Sequence, residues 1–205
     1  PCADEKVREA ICHAVDPEAF NSVMNLGLGE PAQAIWSKSF PLYEDYYGGS
    51  IYDPEKSKEI LKEIGMENGL TVNCLIFPVY KDAAAVLQES LRQVGITMEI
   101  NMMDNATWTP LVKSGEFDIT IGDPYGVRLC PNSFNTVNPD MIGAAAYNIR
   151  MDTPELREAL DKVNNADETI RDEGMDELYD IVLGQYTCVG LCSGAKYIAV
   201  KRGIT

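Results

Sequence analysis

LTVNCLIFPVYKDAAAVLQESLRQVGITMEINMM, residues 70–103, decides the fold. It begins with LTVNCLIF, a run of β-branched, aromatic and other apolar residues of the kind that forms a buried strand. KDAAAVLQESLRQVG then puts Ala84, Leu87, Leu91 and Val94 on one side of a helix, and Gly95 supplies the stop. ITMEINMM switches to a period of two, with Ile96, Met98, Ile100 and Met102 alternating against more polar partners. A strand, a helix and a second strand in that order predict at least some parallel pairing.

The flanking segments extend the pattern. Upstream, YDPEKSKEILKEIG (52–65) writes its own helix limits: Asp53 is a good N-cap, Pro54 suits the first helical position, and Gly65 fits the left-handed position after the last turn. Ile60, Leu61 and Ile64 form its apolar stripe. A first helix is predicted from about Asp4 to Ala14. A second begins at Asp16-Pro17, with Ala19, Phe20 and Val23 as its buried face. Residues 27–50 carry Gly, Pro and aromatics without periodicity and read as a long ordered loop.

Downstream, Asp104 caps a short helix through Leu111, made irregular by Pro110, and FDITI (117–121) is the next strand. Asp152-Thr153-Pro154 opens a helix carrying Leu156, Leu160 and Val163. Asp167 caps another, with Ile170, Leu178 and Val182 inward, and the strand-like close is YTCVGLCSGAKYIAVKRGI. The expected architecture is α/β: a mixed sheet flanked by helices on both faces, in one domain over residues 1–205.

Composition narrows the function classes. The 17 basic against 32 acidic residues give a net charge of −15, a field that repels phosphate backbones and anionic membranes, so nucleic acid is not an expected partner. No apolar run reaches the 18 residues of a membrane span, and the opening PCADEKVREA has no apolar signal region. The chain is therefore expected to be either cytoplasmic or an excised piece of something exported.

Six cysteines are scattered without a C-x-x-C pair, so no zinc ribbon or thioredoxin-like motif is signalled. Cys188 and Cys192 are about 13 Å apart in an extended strand, too far to bridge unless Gly190 bends the chain. Cys12 and Cys74 fall within apolar patterns and are expected as buried free thiols. His13, the only histidine, lies beside the Val7/Ile11 stripe and is expected to be structural. Cys12 and His13 are adjacent on a helix and point apart, and no nucleophile elbow or phosphate-binding glycine loop exists, so neither enzyme activity nor a cofactor or metal is expected.

The chemistry concentrates in FDITIGDPYGVRLCPNSFN (117–135), directly after a predicted strand. Ligands of α/β domains bind outside the carboxyl ends of strands, so this is where a binding loop belongs. Tyr125 offers a flat face and a hydroxyl. Arg128 suits a carboxylate, which its guanidinium grips with two parallel hydrogen bonds. Asp123 serves as a loop acid or caps the Pro124 turn, and Asn132 is a polar contact or a helix cap. Trp108 and Trp36 are candidate cleft aromatics, with burial as the competing role.

KVREAICHAVDPEAF, YDPEKSKEILKEIG with its strand, AAAVLQESLRQVGITMEI, SGEFDITI and YIAVKRGI, in that order, resemble the family 5 solute-binding proteins of ABC transporters. The resemblance implies one lobe of a type II periplasmic-binding-protein fold, the second of two hinge-linked lobes, with lipoprotein signal and first lobe absent from this chain. It also implies an exposed surface where the partner lobe would sit. Family members typically show a Trp, then Gly, then an Asp-Pro-x-x-Phe-like step. Here that spacing gives Tyr125, Gly126, Pro131 and Phe134, with Cys130 where aspartate is common. Peptide binders of the family carry an acid three residues after the aromatic, which pairs with the peptide amine; this chain has Arg128.

The resemblance thus implies an extracytoplasmic, non-enzymatic receptor, in the periplasm or anchored at the cell surface. It would capture a small solute, a carboxylate-bearing peptide first, and deliver it to the transmembrane subunits of an ABC permease. Its alternatives are a nickel or other metal-chelate receptor and a ligand-sensing module with the same fold. Nickel-type relatives place a histidine downstream of the loop, and residues 135–151 contain none, so direct metal coordination is not expected.

Overall fold

The structure, a computed structural model, describes residues 1–31, 50–67, 69–122, 136–145 and 148–194. α1 (Glu5–Ala14) starts where the Asp4 side chain accepts from the Lys6 backbone N–H. α2 (Pro17–Asn25) starts where Asp16 accepts from Glu18 and Ala19. β1 (Glu30–Pro31) is short. α3 (Pro54–Glu63) has the limits its sequence announces: Asp53 accepts from Lys56, and Gly65 turns at φ 72°. β2 (Leu70–Ile76) leads through a 3-10 turn, Pro78–Tyr80, into α4 (Lys81–Gln93) and β3 (Ile96–Met102).

α5 (Asn105–Ser114) is capped by Asp104 and ends at Gly115; it runs three residues past Leu111 and absorbs Pro110 inside. β4 (Ile119–Thr120) keeps only two residues of FDITI. α6 (Pro154–Val163), capped by the Thr153 hydroxyl, and α7 (Glu168–Gly184), capped by Asp167, precede β5 (Cys192–Ser193).

β2 is the centre of a three-stranded sheet, pairing in parallel with β3 over its whole length and with β4 at Cys74–Ile119 and Leu75–Thr120. The antiparallel pairing is separate: β1 joins β5 at the far end of the chain. Both pairing types therefore occur, among the described residues, in two sheets rather than one mixed sheet. Helices lie on both faces, as the alternation along β2 requires. Val72, Cys74 and Ile76 enter the core made with α1, α3 and α4, whereas Leu75 packs with Trp108 and Val112 of α5 on the other side. α6 and α7 build a second apolar cluster, closed by Val137.

Three positions differ from the expected faces. Val23 is 51% exposed, because α2 turns Pro17, Phe20 and Asn21 inward instead; buried Asn21 donates to the Gly29 carbonyl at 3.0 Å. Ile170 is exposed, since the inward stripe of α7 is Met175, Leu178, Tyr179 and Val182, and Ile170 falls off that line. Met102 is 53% exposed because β3 runs past the helices that cover Ile96 and Met98.

Candidate functional site at the carboxyl edge of the parallel sheet

All three strands of the parallel sheet end on one edge, and the chain makes that edge specific. β2 exits through Phe77, Pro78 and Val79, β3 through Met102 and Met103, and β4 through Ile121 and Gly122. The β2 and β3 exits are tied by a hydrogen bond from Met103 N–H to Ile76 O, 3.1 Å. Val79 and Met102 stand exposed there, an apolar lip on a strongly acidic chain.

The β4 exit is fixed more firmly. Its ladder with β2 ends at the Leu75–Thr120 pair, where side-chain donors reinforce the Leu75 carbonyl. The Thr120 hydroxyl donates to it at 2.9 Å and the Trp108 indole N–H at 3.4 Å. Two donors satisfy a buried carbonyl that would otherwise be costly. Trp108 is 2% exposed and its ring lies 4.4 Å from that of Phe77. Of the candidate site residues it is the one whose place is described, and it props the edge from beneath.

Beyond Gly122 the chain re-enters the described structure at Thr136, whose carbonyl accepts from Ile149 N–H at 2.8 Å, while Asn148 donates to Asn138 O at 2.9 Å. Val137 is fully buried against α6 and α7. Arg150 locks this return to α5. Its backbone takes the left-handed conformation, φ 58°, and its guanidinium donates to the carbonyls of Lys113 (3.0 Å) and Val112 (3.5 Å) at the carboxyl end of that helix. A cation there complements the helix dipole. Sequence reasoning missed this anchor, because Arg150 and Lys113 are far apart in the chain and no local pattern links them.

Asp123, Tyr125, Gly126, Arg128 and Asn132 lie within 123–135, outside the described residues, as do Trp36 and Cys130. On one side of that segment Gly122 leaves β4 at the carboxyl edge of the parallel sheet, where ligands of such sheets bind, and on the other Val137 is packed on α6 and α7. His13 is placed elsewhere: its Nδ1 lies 2.7 Å from the Ile51 carbonyl, joining α1 to the start of α3. Among the described residues no three His, Cys, Asp or Glu side chains converge as a metal site would need, and no helix is long and apolar enough to cross a membrane.

The sequence profile of the bacterial extracellular solute-binding proteins, family 5 (middle region), matches residues 1–139, about two-thirds of the chain. The chain belongs to that family. It is 29% identical over 141 residues to the dipeptide-binding protein of Escherichia coli K12, an alignment covering 65% of this chain and 26% of the relative. It is 34% identical over 107 residues to the glutathione-binding protein GsiB of Pectobacterium atrosepticum, covering 51% and 21%. The crystal structure of NikA from Brucella suis in complex with Fe(III)-EDTA superposes with a TM-score of 0.77 at 19% identity, over 94% of this chain and 42% of that one. The fold is that of the type II periplasmic-binding proteins. The chain spans about a quarter of the length of the curated relatives it matches.

Proposed function

We propose that this chain is the second lobe of the substrate-binding component of an ABC importer. In this reading it closes with a first lobe over a carboxylate-bearing peptide and presents it to the permease. The observation that carries the proposal is the carboxyl edge of the parallel sheet, where β2 and β3 end in exposed Val79 and Met102 and the chain leaves β4 toward residues 123–135. Tyr125 and Gly126 would frame the ligand, Arg128 would hold its carboxylate in a bidentate pair, and Asn132 and Asp123 would add polar contacts. Trp108 would act by supporting the edge. The role is binding without catalysis: ligand stabilises a closed two-lobed state that the permease recognises.

The names of the dipeptide- and glutathione-binding relatives support a peptide. A metal chelate is the second reading, favoured by the likeness to a protein holding Fe(III)-EDTA, itself a polycarboxylate. Calorimetry on the complete two-lobed protein separates them, using a panel of short peptides, the same peptides amidated at the carboxyl end, and Fe(III)-EDTA. Binding of free but not amidated peptides is expected. Binding of the chelate alone would move the assignment to the second reading, and binding of neither would overturn both.

A further inference from the structure

We propose that Cys12 and Cys188 form a disulfide when the chain meets an oxidising compartment, stapling α1 to the segment that follows α7. The family is extracellular, where disulfides persist, yet Cys2, Cys12, Cys74, Cys188 and Cys192 all stand here as free thiols. Among the cysteines of the described residues, geometry points to one pair. Cys12 lies on the buried side of α1 with its S–H donating to the Tyr186 carbonyl at 3.7 Å. Cys188 is two residues further on, so its Cα lies within about 7 Å of that of Tyr186.

One turn before Cys12, Arg8 donates through Nε to the Gln185 carbonyl at 2.9 Å, so one face of α1 holds the chain at Gln185 and Tyr186, just before Cys188. Burial lifts the Cys12 thiol far above its ordinary range, and charge on Cys188 adds to that ahead of charge on Cys2, as expected for neighbouring sulfurs. Cys2 precedes α1, whose first residue already lies about 10 Å down the axis from Cys12, beyond the reach of a bridge. Cys192 is held in β5 against Pro31, and Cys74 in the middle of β2.

The bridge would join two cores, since α1 belongs to the sheet core and Cys188 packs against the α6–α7 cluster. Thiol–disulfide exchange forms it. The Cys188 thiolate attacks the sulfur–sulfur bond of a small disulfide such as oxidised glutathione and expels one thiolate. Cys12 then attacks the Cys188 sulfur and expels the second. One bond between sulfurs forms and one breaks, and two electrons and two protons pass from the protein to the carrier, which leaves as two thiols. Burial pushes the Cys188 thiol up to about 12, so exchange in the folded chain is slow and redox-buffered refolding is the efficient route.

The test is to refold the chain from urea in a mixed oxidised and reduced glutathione buffer, block free thiols with iodoacetamide, and digest with trypsin. The expected product has two fewer alkylated thiols than the six of the reduced chain, with peptide 9–38 joined to peptide 172–196. Because the latter also holds Cys192, the assignment rests on variants: the cross-link survives in Cys192→Ser and is lost in Cys188→Ser. Six alkylated thiols, a cross-link that persists in Cys188→Ser, or one that involves Cys2 would each overturn the proposal. It depends on the family's extracellular location and not on what the lobe binds.

Discussion

The indole of Trp108 and the backbone carbonyl of Leu75 meet at 3.4 Å, at the last pair of the ladder between β2 and β4. A residue that the sequence offers as a cleft aromatic, and more readily as core, is thus built into the support of the sheet edge. Trp108→Ala is expected to destabilise the chain by about 3–5 kcal/mol, the usual cost of removing a large buried aromatic. Trp108→Phe should cost less, because it keeps most of the volume and leaves the Thr120 hydroxyl on the carbonyl. Urea unfolding measures both. A Trp108→Ala chain of unchanged stability would show that the ring does not carry the edge.

The crossing of α6 and α7 depends on the missing side chain of Gly174. A Cβ there would come within 2.5 Å of Lys162 Cβ and 2.7 Å of the Val163 backbone nitrogen. Gly174→Ala gains about 1 kcal/mol in helix propensity. Overpacking against backbone costs about 1–3 kcal/mol, so a net loss of stability is expected. A thermal midpoint that rises in Gly174→Ala would contradict the close crossing.

Gly115 and Arg150 should behave as one unit. Gly115 turns at φ 83°, and a Cβ on it would stand 2.9 Å from Arg150 Nε. Gly115→Ala therefore meets a left-handed backbone penalty of about 1–2 kcal/mol and also disturbs the guanidinium that caps α5. Arg150→Ala alone should destabilise, and the double variant should lose less than the sum of the two single losses. Strict additivity in chemical unfolding would separate the two residues.

Acid should weaken the chain in a defined window. Hydrogen bonds from the Thr107 backbone N–H and hydroxyl hold Asp104 below the usual carboxylate range, and the Arg157 guanidinium does the same for Asp152. Hydrogen bonds from Arg92 and Gln93 bring Glu89 down to about 2. Folded values below unfolded ones mean stabilisation that is fully present above the unfolded range, about pH 4, and is lost as pH falls through the folded values. The destabilisation by Asp104→Ala should thus be larger at pH 7 than at pH 2.5. Equal losses at both pH values would show that the cap works without its charge.

Much of this architecture was legible because it is written locally. Asp53, Pro54 and Gly65 set the limits of α3, and the change of period at Gly95 separates α4 from β3. What escaped depends on distant parts of the chain. Met102 follows the alternation of β3 yet is exposed, because where helical cover ends is a tertiary fact. Val23 lost its place on the inner face of α2 to Asn21, whose polar partner lies on the Gly29 loop. Arg150 gave no signal, since its left-handed backbone and its carbonyl partners on α5 leave no trace in neighbouring residues. The loop residues from Asp123 to Asn132 remain assigned by chemistry and spacing alone.

The most direct measurement of the ligand assignment is calorimetry on the complete two-lobed protein, comparing the native form with Arg128→Ala. One peptide that the native form binds is titrated in its free and its amidated form. The account predicts that the native protein prefers the free carboxylate by at least tenfold, and that Arg128→Ala abolishes the preference by weakening the free peptide to the level of the amidated one. A preference that survives in Arg128→Ala, with affinity for the free peptide unchanged, would contradict the account.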